Sequence, residues 1–201
     1  MDKKTILISA FGAFGGDSIN PTELILDKLP NSVNGINIEK ILLPVEFIKA
    51  PLELIDLYNK VSPSYVIMLG QAGGRSKVTI EEKAKNVMNA RIADNSGYLP
   101  KGEAIIEGGE SFLYSNLPID EIISELKNNG LELEKSSDAG EYVCNMVLYK
   151  MLYEAKDKAK VGFIHVPFIK EQNHNDKPFM ELDDIYDVIY NIIEIITKKE
   201  E

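Results

Sequence analysis

The chain has 201 residues, of which 44% are hydrophobic, and a formal net charge of −10. This length suits one domain, residues 1–201, with a sizeable core, and the acidity argues against nucleic acid or an anionic membrane as a partner. The one cysteine excludes a disulfide within the chain and fits a reducing compartment. Because we also find no signal-peptide pattern and no membrane-spanning apolar run, we expect a cytoplasmic protein.

Apolar runs of strand length alternate with segments of helical period in the first half of the chain. We predict strands at 5–10, 36–43 and 64–70, and helices at 21–29 and 46–60. Asn20 followed by Pro21 is typical of a helix start, because asparagine caps free N–H groups and proline lacks one. Residues 78–87 are predicted to be extended or irregular.

The second half continues the alternation after a turn-rich stretch at 92–118, a length of weakly regular chain that is more often functional than idle. We predict helices at 119–129, 141–153 and 182–198, a short strand at 131–133 and a longer one at 160–168. This order predicts a single three-layer α/β domain with a largely parallel twisted central sheet flanked by helices. Ligands bind outside the C-terminal strand ends of such sheets, where we expect Phe11, Gln71 and His165.

Cys144 is predicted to lie in or near the first turn of a helix, where free N–H groups and the helix dipole favour a thiolate. The dipole contributes only about 0.3–1 kcal/mol, too little to make a nucleophile at neutral pH, and a lone cysteine near an apolar helix is usually packing. His165 at a strand end of the same sheet could accept the thiol proton, and the resulting ion pair would be the nucleophile. A carboxylate would orient the imidazole. Glu81 and Glu82 both qualify by type, and spacing does not choose between them.

Two glycine-rich loops follow predicted strands and leave an alternative open. The loop at 11–16 lacks the G-x-G-x-x-G spacing of dinucleotide sites. The loop from Gly70 to Arg75 could cradle an anion or form a tight turn that presents an amide side chain. A nucleotide- or phosphate-binding α/β enzyme is therefore a competing interpretation. His174 lies in a polar loop, and without paired ligand spacing we expect no metal and no cofactor.

Four segments, in order along nearly the whole chain, carry a family resemblance. They are Phe11-Gly12-Ala13-Phe14-Gly15-Gly16 with Asn20-Pro21-Thr22; Gly70-Gln71-Ala72-Gly73-Gly74-Arg75 continuing through Glu81 to Ala90-Arg91-Ile92-Ala93-Asp94-Asn95-Ser96-Gly97; Ala139-Gly140-Glu141-Tyr142-Val143-Cys144-Asn145; and Gly162-Phe163-Ile164-His165-Val166-Pro167-Phe168. Together they resemble the motifs of pyroglutamyl peptidase I, the family of pyrrolidone-carboxylate cysteine peptidases.

The resemblance implies a cysteine exopeptidase, an omega peptidase, that hydrolyses the N-terminal pyroglutamyl residue from peptides through a thioester acyl-enzyme. It implies Cys144 as nucleophile, His165 as base and acid, and Glu81 rather than Glu82 as the third member. The implied substrate-binding residues are Phe11, Phe14, Ile92, Tyr142 and Val143 around the ring, Gln71 and the backbone at Asn20 on the lactam, and Arg91 close to the nucleophile. It also implies a homo-oligomer, and a tetramer is often found in the family.

The chain departs from the family pattern near two of these groups. Ala13 stands where proline is usual, and Ile80 and Glu82 replace the usual proline and arginine beside Glu81, followed by Lys83 in place of an apolar residue. No catalytic group is lost. The second hypothesis is therefore a divergent, weakly active or inactive member that binds pyroglutamyl-like lactams.

Overall fold

The computed structural model describes residues 4–156, 158–174 and 176–198. Its strands are β1 (Thr5–Phe11), β2 (Ser32–Val33), β3 (Ile36–Leu43), β4 (Tyr65–Gln71), β5 (Thr79–Glu81), β6 (Lys83–Lys85), β7 (Met88–Asn89), β8 (Lys101–Glu103), β9 (Phe112–Tyr114), β10 (Glu134–Ser136), β11 (Lys160–Val166), β12 (Phe168–Ile169) and β13 (Phe179–Met180). Its helices are α1 (Pro21–Lys28), α2 (Lys49–Val61), α3 (Ile119–Asn128), α4 (Val143–Ala155) and α5 (Leu182–Lys198), with a 3₁₀ turn at Lys170–Gln172.

Seven strands form the central sheet, in the order β10-β5-β11-β4-β1-β3-β2. The four strands β3, β1, β4 and β11 run parallel to one another. At one edge β2 is antiparallel to β3, and at the other β5 is antiparallel to β11 while pairing in parallel with β10. The largely parallel α/β sheet predicted from the sequence is confirmed.

The helices cover both faces of the sheet, because side chains of each buried strand alternate between the two sides. On one face α1, α3 and α5 pack on a core that includes Ile8, Ile67 and Ile164. On the other face α2 and α4 pack on a core that includes Met68 and Phe163. Both layers are filled mostly by apolar side chains. The polar groups that could take part in a reaction therefore lie at the ends of the strands.

Several predicted boundaries hold and others shift. The Asn20 side chain accepts the Thr22 N–H at 3.0 Å and Pro21 is the first residue of α1, as predicted. Helix α2 begins three residues later than predicted, because Asp94 holds the Phe47 N–H at 2.8 Å and keeps that residue outside the helix. The predicted strand at 131–133 is wrong. Pairing begins at Glu134, where the chain meets β5.

The turn-rich region contains short ladders that the sequence did not indicate. β9 pairs with β6, and β8 pairs with β7, each as an antiparallel two-stranded ladder. Each strand has two or three residues, which is too short for an alternating pattern to be read. None of the described helices is long and apolar enough to cross a membrane.

Candidate active site

Cys144 is the second residue of α4, as the sequence predicted for the first turn of this helix. Tyr142 precedes the helix, and its side chain makes no capping hydrogen bond. Its hydroxyl instead donates to the Ala93 carbonyl at 3.1 Å. Asn145 anchors the turn from inside, since its Oδ1 accepts the Lys85 N–H at 2.8 Å and its Nδ2 donates to the Lys85 carbonyl at 2.9 Å. These contacts fix the start of the helix, whose first turn has no side-chain cap.

Gly70 makes the room that the thiol occupies. It lies in β4 beside His165 of β11, in the register of the parallel pair. A Cβ at Gly70 would lie 2.9 Å from Cys144 Sγ and 2.6 Å from Cζ of Phe163, and atoms do not approach so closely without something moving. The Phe163 ring in turn lies 4.6 Å from the His165 ring, centroid to centroid. The missing side chain at Gly70 therefore lets Cys144 pack down on the strand next to the histidine.

His165 is paired with Glu81, not with Glu82. His165 Nδ1 lies 2.7 Å from Glu81 Oε1, and both residues are buried, at 3% and 0% exposure. Glu82 lies on the other side of the strand, with an oxygen 3.5 Å from Lys135 Nζ. Because Glu81 holds Nδ1, the remaining ring nitrogen, Nε2, is the one left to exchange a proton with a thiol.

Arg75 is a second partner of Glu81 that the sequence analysis missed. Its Nη1 lies 2.7 Å from Glu81 Oε1 and also donates to Thr79, while Nη2 donates to the Asp138 carbonyl at 2.9 Å. The last residue of the glycine-rich loop is therefore already neutralised by a buried carboxylate. This engagement argues against the competing interpretation of that loop as a phosphate cradle.

The departures beside Glu81 leave this pairing undisturbed. Ile80 is fully buried in the core on the opposite face of the sheet. Lys83 lies with its Nζ 4.7 Å above the Phe112 ring. The neighbours of Glu81 thus find partners of their own and do not compete for its carboxylate.

The pKa values of His165 and Glu81 depend on two opposing effects, the burial of both groups and the interaction between them. Burial alone would raise the pKa of Glu81, but the hydrogen bond and charge of His165, with help from the Ser136 hydroxyl and from Arg75, lower it. Burial lowers the pKa of His165, outweighing the support that the imidazolium gains from Glu81, and Arg75 lowers it further. The resting pair is therefore a carboxylate and a neutral imidazole at neutral pH.

Burial and the charge of Glu81 raise the pKa of the Cys144 thiol to about 12. Arg75 and the residue's own N–H act in the opposite direction and are outweighed. In the part of the chain that the structure describes, no hydrogen bond from another residue reaches Sγ. The helix start alone therefore does not produce the thiolate that its dipole favours, and deprotonation depends on the neighbouring base.

A small cavity opens directly beside the thiol. Its volume is about 110 Å³, and it is lined by Phe11, Phe14, Ile19, Asn20, Val45, Gln71, Tyr142, Val143 and Cys144. Most of these side chains are apolar or aromatic, and the Phe14 and Tyr142 rings lie 5.3 Å apart. The predicted substrate-binding residues Phe11, Phe14, Asn20, Gln71, Tyr142 and Val143 are thus brought together with Cys144.

The polar groups of this cavity are few. Gln71 Oε1 accepts a hydrogen bond from Gln172 Nε2 at 2.7 Å. The Asn20 side chain is used inside the protein, because its Nδ2 donates to the Gly12 carbonyl at 3.0 Å while its oxygen caps α1. The Asn20 carbonyl accepts the Glu23 N–H at 3.1 Å and the Leu24 N–H at 3.4 Å.

Arg91 and Ile92 lie outside this cavity. They line a wider one of about 710 Å³, which shares Phe14 and Tyr142 with the first. Ile92 is 56% exposed, and Arg91 is exposed as well. Arg75 is bonded to Glu81, whereas Arg91 lines the neighbouring cavity beside Tyr142.

Four residues of the site were not identified from the sequence: Ile19, Val45, Arg75 in its role beside Glu81, and Gln172. Arg75 ends the glycine-rich segment, so its proximity to the strand ends could have been inferred. Ile19 and Val45 lie in loops and Gln172 ends a 3₁₀ turn, and none of the three belongs to a pattern that indicates a site. Among the described residues, no group of three or more His, Cys, Asp and Glu side chains could hold a metal ion.

A thiol, an imidazole and a buried carboxylate on three neighbouring elements define a site for nucleophilic hydrolysis. A family profile described as pyroglutamyl peptidase matches residues 4–199. The pyrrolidone-carboxylate peptidase of Thermosipho africanus is 41% identical over 199 residues, covering 96% of this chain and 97% of that protein. A pyrrolidone-carboxylate peptidase of Clostridium perfringens is 40% identical, covering 90% and 87%.

Solved structures agree with these sequence relationships. A mutant pyrrolidone carboxyl peptidase from the hyperthermophile Pyrococcus furiosus superposes with a TM-score of 0.92 at 33% identity, covering 98% of this chain and all of the other. Pyroglutamyl peptidase I from Bacillus amyloliquefaciens gives a TM-score of 0.90 at 34% identity, covering 94% and 93%. The chain belongs to the pyroglutamyl peptidase family of cysteine peptidases.

Proposed function

We propose that this protein hydrolyses the peptide bond that follows an N-terminal pyroglutamyl residue, with Cys144 as nucleophile, His165 as base and acid, and Glu81 as the group that orients the imidazole. One observation carries the proposal. The thiol opens onto a small apolar cavity with an amide side chain, beside a buried imidazole and carboxylate 2.7 Å apart. The family supports the same reaction.

The cavity suits a pyroglutamyl ring better than a charged amino terminus. The ring is flat and neutral, with one N–H and one C=O to satisfy, and Phe11, Phe14 and Tyr142 offer apolar walls. Gln71 would hydrogen-bond the lactam, together with the backbone at Asn20. Proline lacks the ring carbonyl, so binding it would leave a buried donor unpaired, and such a site discriminates strongly against it.

Acylation begins when Sγ attacks the carbonyl carbon of the pyroglutamyl residue. His165 Nε2 takes the thiol proton during the attack, because the raised pKa of Cys144 and the lowered pKa of His165 favour a neutral pair beforehand. The free N–H groups of the first turn of α4 would stabilise the oxyanion of the tetrahedral intermediate. The imidazolium then protonates the leaving amine, the C–N bond breaks, and a thioester remains.

Deacylation reverses these roles. His165 takes a proton from water as the water oxygen attacks the thioester carbonyl, and the imidazolium returns that proton to the departing sulfur. Glu81 stays ionised throughout and holds Nδ1–H, so that the imidazole keeps the tautomer with a free Nε2. Pyroglutamate and the resting thiol are the products.

Arg91 and Ile92 keep their predicted roles as part of this proposal. Their cavity adjoins that of Cys144 through Phe14 and Tyr142, so the segment that carries them would have to approach the substrate on binding. Both side chains are exposed, which is compatible with such an approach. Full activity of Arg91→Ala would remove Arg91 from the proposal.

The decisive experiment is cleavage of a chromogenic pyroglutamyl anilide by wild type and by Cys144→Ser under reducing conditions. We expect turnover by wild type, a loss of at least ~100-fold in kcat on substitution, and inactivation by iodoacetamide. The matched prolyl anilide should be cleaved far more slowly. A wild type that binds pyroglutamate without cleaving the anilide would support the alternative, a lactam-binding member without activity, and activity that survives Cys144→Ser would remove Cys144 from the mechanism.

We further propose that the protein acts in the cytoplasm, on peptides, as a homo-oligomer, for which the tetramer is the state to test. A reducing compartment would keep the lone thiol active. Exposed apolar side chains at Phe112, Tyr114 and Ile92 support self-association. Light scattering coupled to gel filtration measures the mass directly, and a monomer at micromolar concentration would overturn the oligomer.

A further inference from the structure

Gln172 lies behind Gln71, outside the cavity, at the end of the 3₁₀ turn that follows β12. Its amide makes hydrogen bonds at both ends. Ile169 N–H donates to Gln172 Oε1 at 3.0 Å, and Gln172 Nε2 donates to Asp17 Oδ2 at 3.0 Å and to Gln71 Oε1 at 2.7 Å.

The chemistry of its neighbours fixes which end of the Gln172 amide is which. A backbone N–H can only donate, so the atom that faces Ile169 has to be the oxygen. A backbone carbonyl can only accept, so the atom that faces the Ile19 carbonyl at 3.4 Å, and Asp17 with it, has to be the nitrogen. The two constraints act on opposite ends of the amide and give the same orientation. They therefore assign the oxygen and the nitrogen of Gln172, which heavy-atom positions alone do not distinguish.

The orientation of the Gln172 amide in turn determines that of Gln71. Because Gln172 presents an N–H to it, the atom of Gln71 that accepts at 2.7 Å has to be the oxygen. The amide nitrogen of Gln71 is then the end that remains for a ligand. A lactam carbonyl requires a donor, and a Gln71 amide with the opposite orientation would present an acceptor to it.

We propose that Gln172 is a positioning residue for substrate recognition: it holds the Gln71 amide in the orientation that donates to the ring carbonyl of the substrate. This inference rests on the proposed hydrolysis of pyroglutamyl peptides. The protein would then recognise the lactam through a chain of hydrogen bonds that runs from the Ile169 backbone through Gln172 to Gln71, and not through Gln71 alone. A hydrogen-bonded chain of this kind also spares Gln71 the cost of becoming ordered when substrate binds.

The competing explanation is that Gln172 only stabilises its own turn. The turn has other anchors, since the Phe168 ring stacks on His174 at 4.0 Å and fits beneath Gly73, where a Cβ would lie 2.3 Å from the ring. A purely structural role predicts lower thermal stability with an unchanged KM. A positioning role predicts a higher KM with little change in kcat.

The test compares Gln172→Glu with wild type. The new carboxylate still accepts from Ile169 N–H but can donate neither to Gln71 nor to Asp17, so the substitution removes both bonds of the amide nitrogen and keeps the Ile169 anchor. We expect KM for the pyroglutamyl anilide to rise roughly 10-fold, with kcat changed by less than about 2-fold. Glu171→Gln is the matched control, because it makes the reverse exchange on an exposed neighbouring residue and should leave both constants unchanged.

A double-mutant cycle with Gln71→Leu separates positioning from other effects. In the Gln71→Leu background, Gln172→Glu should change KM by less than about 2-fold, because the amide that it orients is gone. An unchanged KM in the single variant, or the same rise in both backgrounds, would overturn the inference. If Gln172→Glu does not fold, Gln172→Met takes its place in the cycle.

A failure of the proposed function would be visible separately, as absence of cleavage by wild type. The hydrogen bond would then be tested by NMR of the side-chain amide of Gln71, assigned by its loss in Gln71→Leu. We expect this resonance to shift in Gln172→Glu and to stay in place in Glu171→Gln. A resonance that does not move in Gln172→Glu would reject the contact itself.

Discussion

Replacing Gly70 with alanine tests whether a missing side chain sets the position of the nucleophile. The added Cβ would lie 2.6 Å from Phe163 Cζ and 2.9 Å from Cys144 Sγ, while ordinary contact begins at 3.4 Å. The ring must therefore retreat by about 0.8 Å and the sulfur by about 0.5 Å in a close-packed layer. Overpacking of this kind costs about 1–3 kcal/mol of the free energy of unfolding.

A shift of this size matters for the reaction as well as for stability. Catalytic groups have to stay within about 0.5 Å of their productive positions, and a displacement of about 1 Å costs up to ~100-fold. We expect Gly70→Ala to lower kcat for the pyroglutamyl anilide by roughly 10- to 100-fold, measured at a temperature where urea titration shows the variant to be folded.

Gly162→Ala is the matched control, because it overpacks the opposite face of the same sheet. Its Cβ would lie 2.0 Å from Leu117 Cδ1, on the side away from the thiol. This variant should lose comparable stability and keep its kcat once folded. If Gly70→Ala retained wild-type kcat, or if both variants lost activity equally, the argument that Gly70 positions Cys144 would be refuted.

Two further predictions concern protonation. The positive charge of Arg75 lowers the pKa of His165, so Arg75→Met should raise that pKa. The acid limb of the pH profile of kcat/KM should then move to higher pH, from a wild-type position below the ordinary histidine value of about 6.5. An acid limb that does not move would contradict this electrostatic role. Because the thiol of Cys144 has a pKa of about 12, its alkylation by iodoacetamide without substrate should accelerate with pH up to at least about pH 10. A rate that is already constant below about pH 7 would instead reveal a preformed thiolate–imidazolium pair.

The sequence predicted the elements that form long apolar runs and the groups that follow them. The ends of β1, β4 and β11 meet at one edge of the sheet because parallel strands point the same way, and this placed Phe11, Gln71 and His165 in advance. The cap at Asn20 was predictable for a local reason, since its side chain bonds an N–H two residues away.

The sequence pattern alone could not predict whether Glu81 or Glu82 pairs with His165. Adjacent residues of a strand point to opposite faces, but β5 has only three residues, and no alternation can be read from so short a run. Its partners β10 and β11 come from distant parts of the chain. Resemblance to a family selected Glu81, and the pairing with His165 supplies the physical reason.

Gln172 was out of reach for a different reason. Its contact with Gln71 joins residues 101 positions apart, the last residue of β4 and the end of a 3₁₀ turn, whose meeting depends on the whole sheet being assembled. No periodicity or spacing marks such a residue. Side chains that position a catalytic or binding group from behind are in general visible only after the fold is known.

The start of α4 links folding to turnover. A side-chain cap at the start of a helix contributes about 1 kcal/mol, and Tyr142 does not provide one. An oxygen of the tetrahedral intermediate at Cys144 would accept hydrogen bonds from the same N–H groups that a cap would use. Serine or aspartate in place of Tyr142 would accordingly exchange activity for stability. In the proposed mechanism the substrate would itself serve as the missing cap of the helix that carries Cys144.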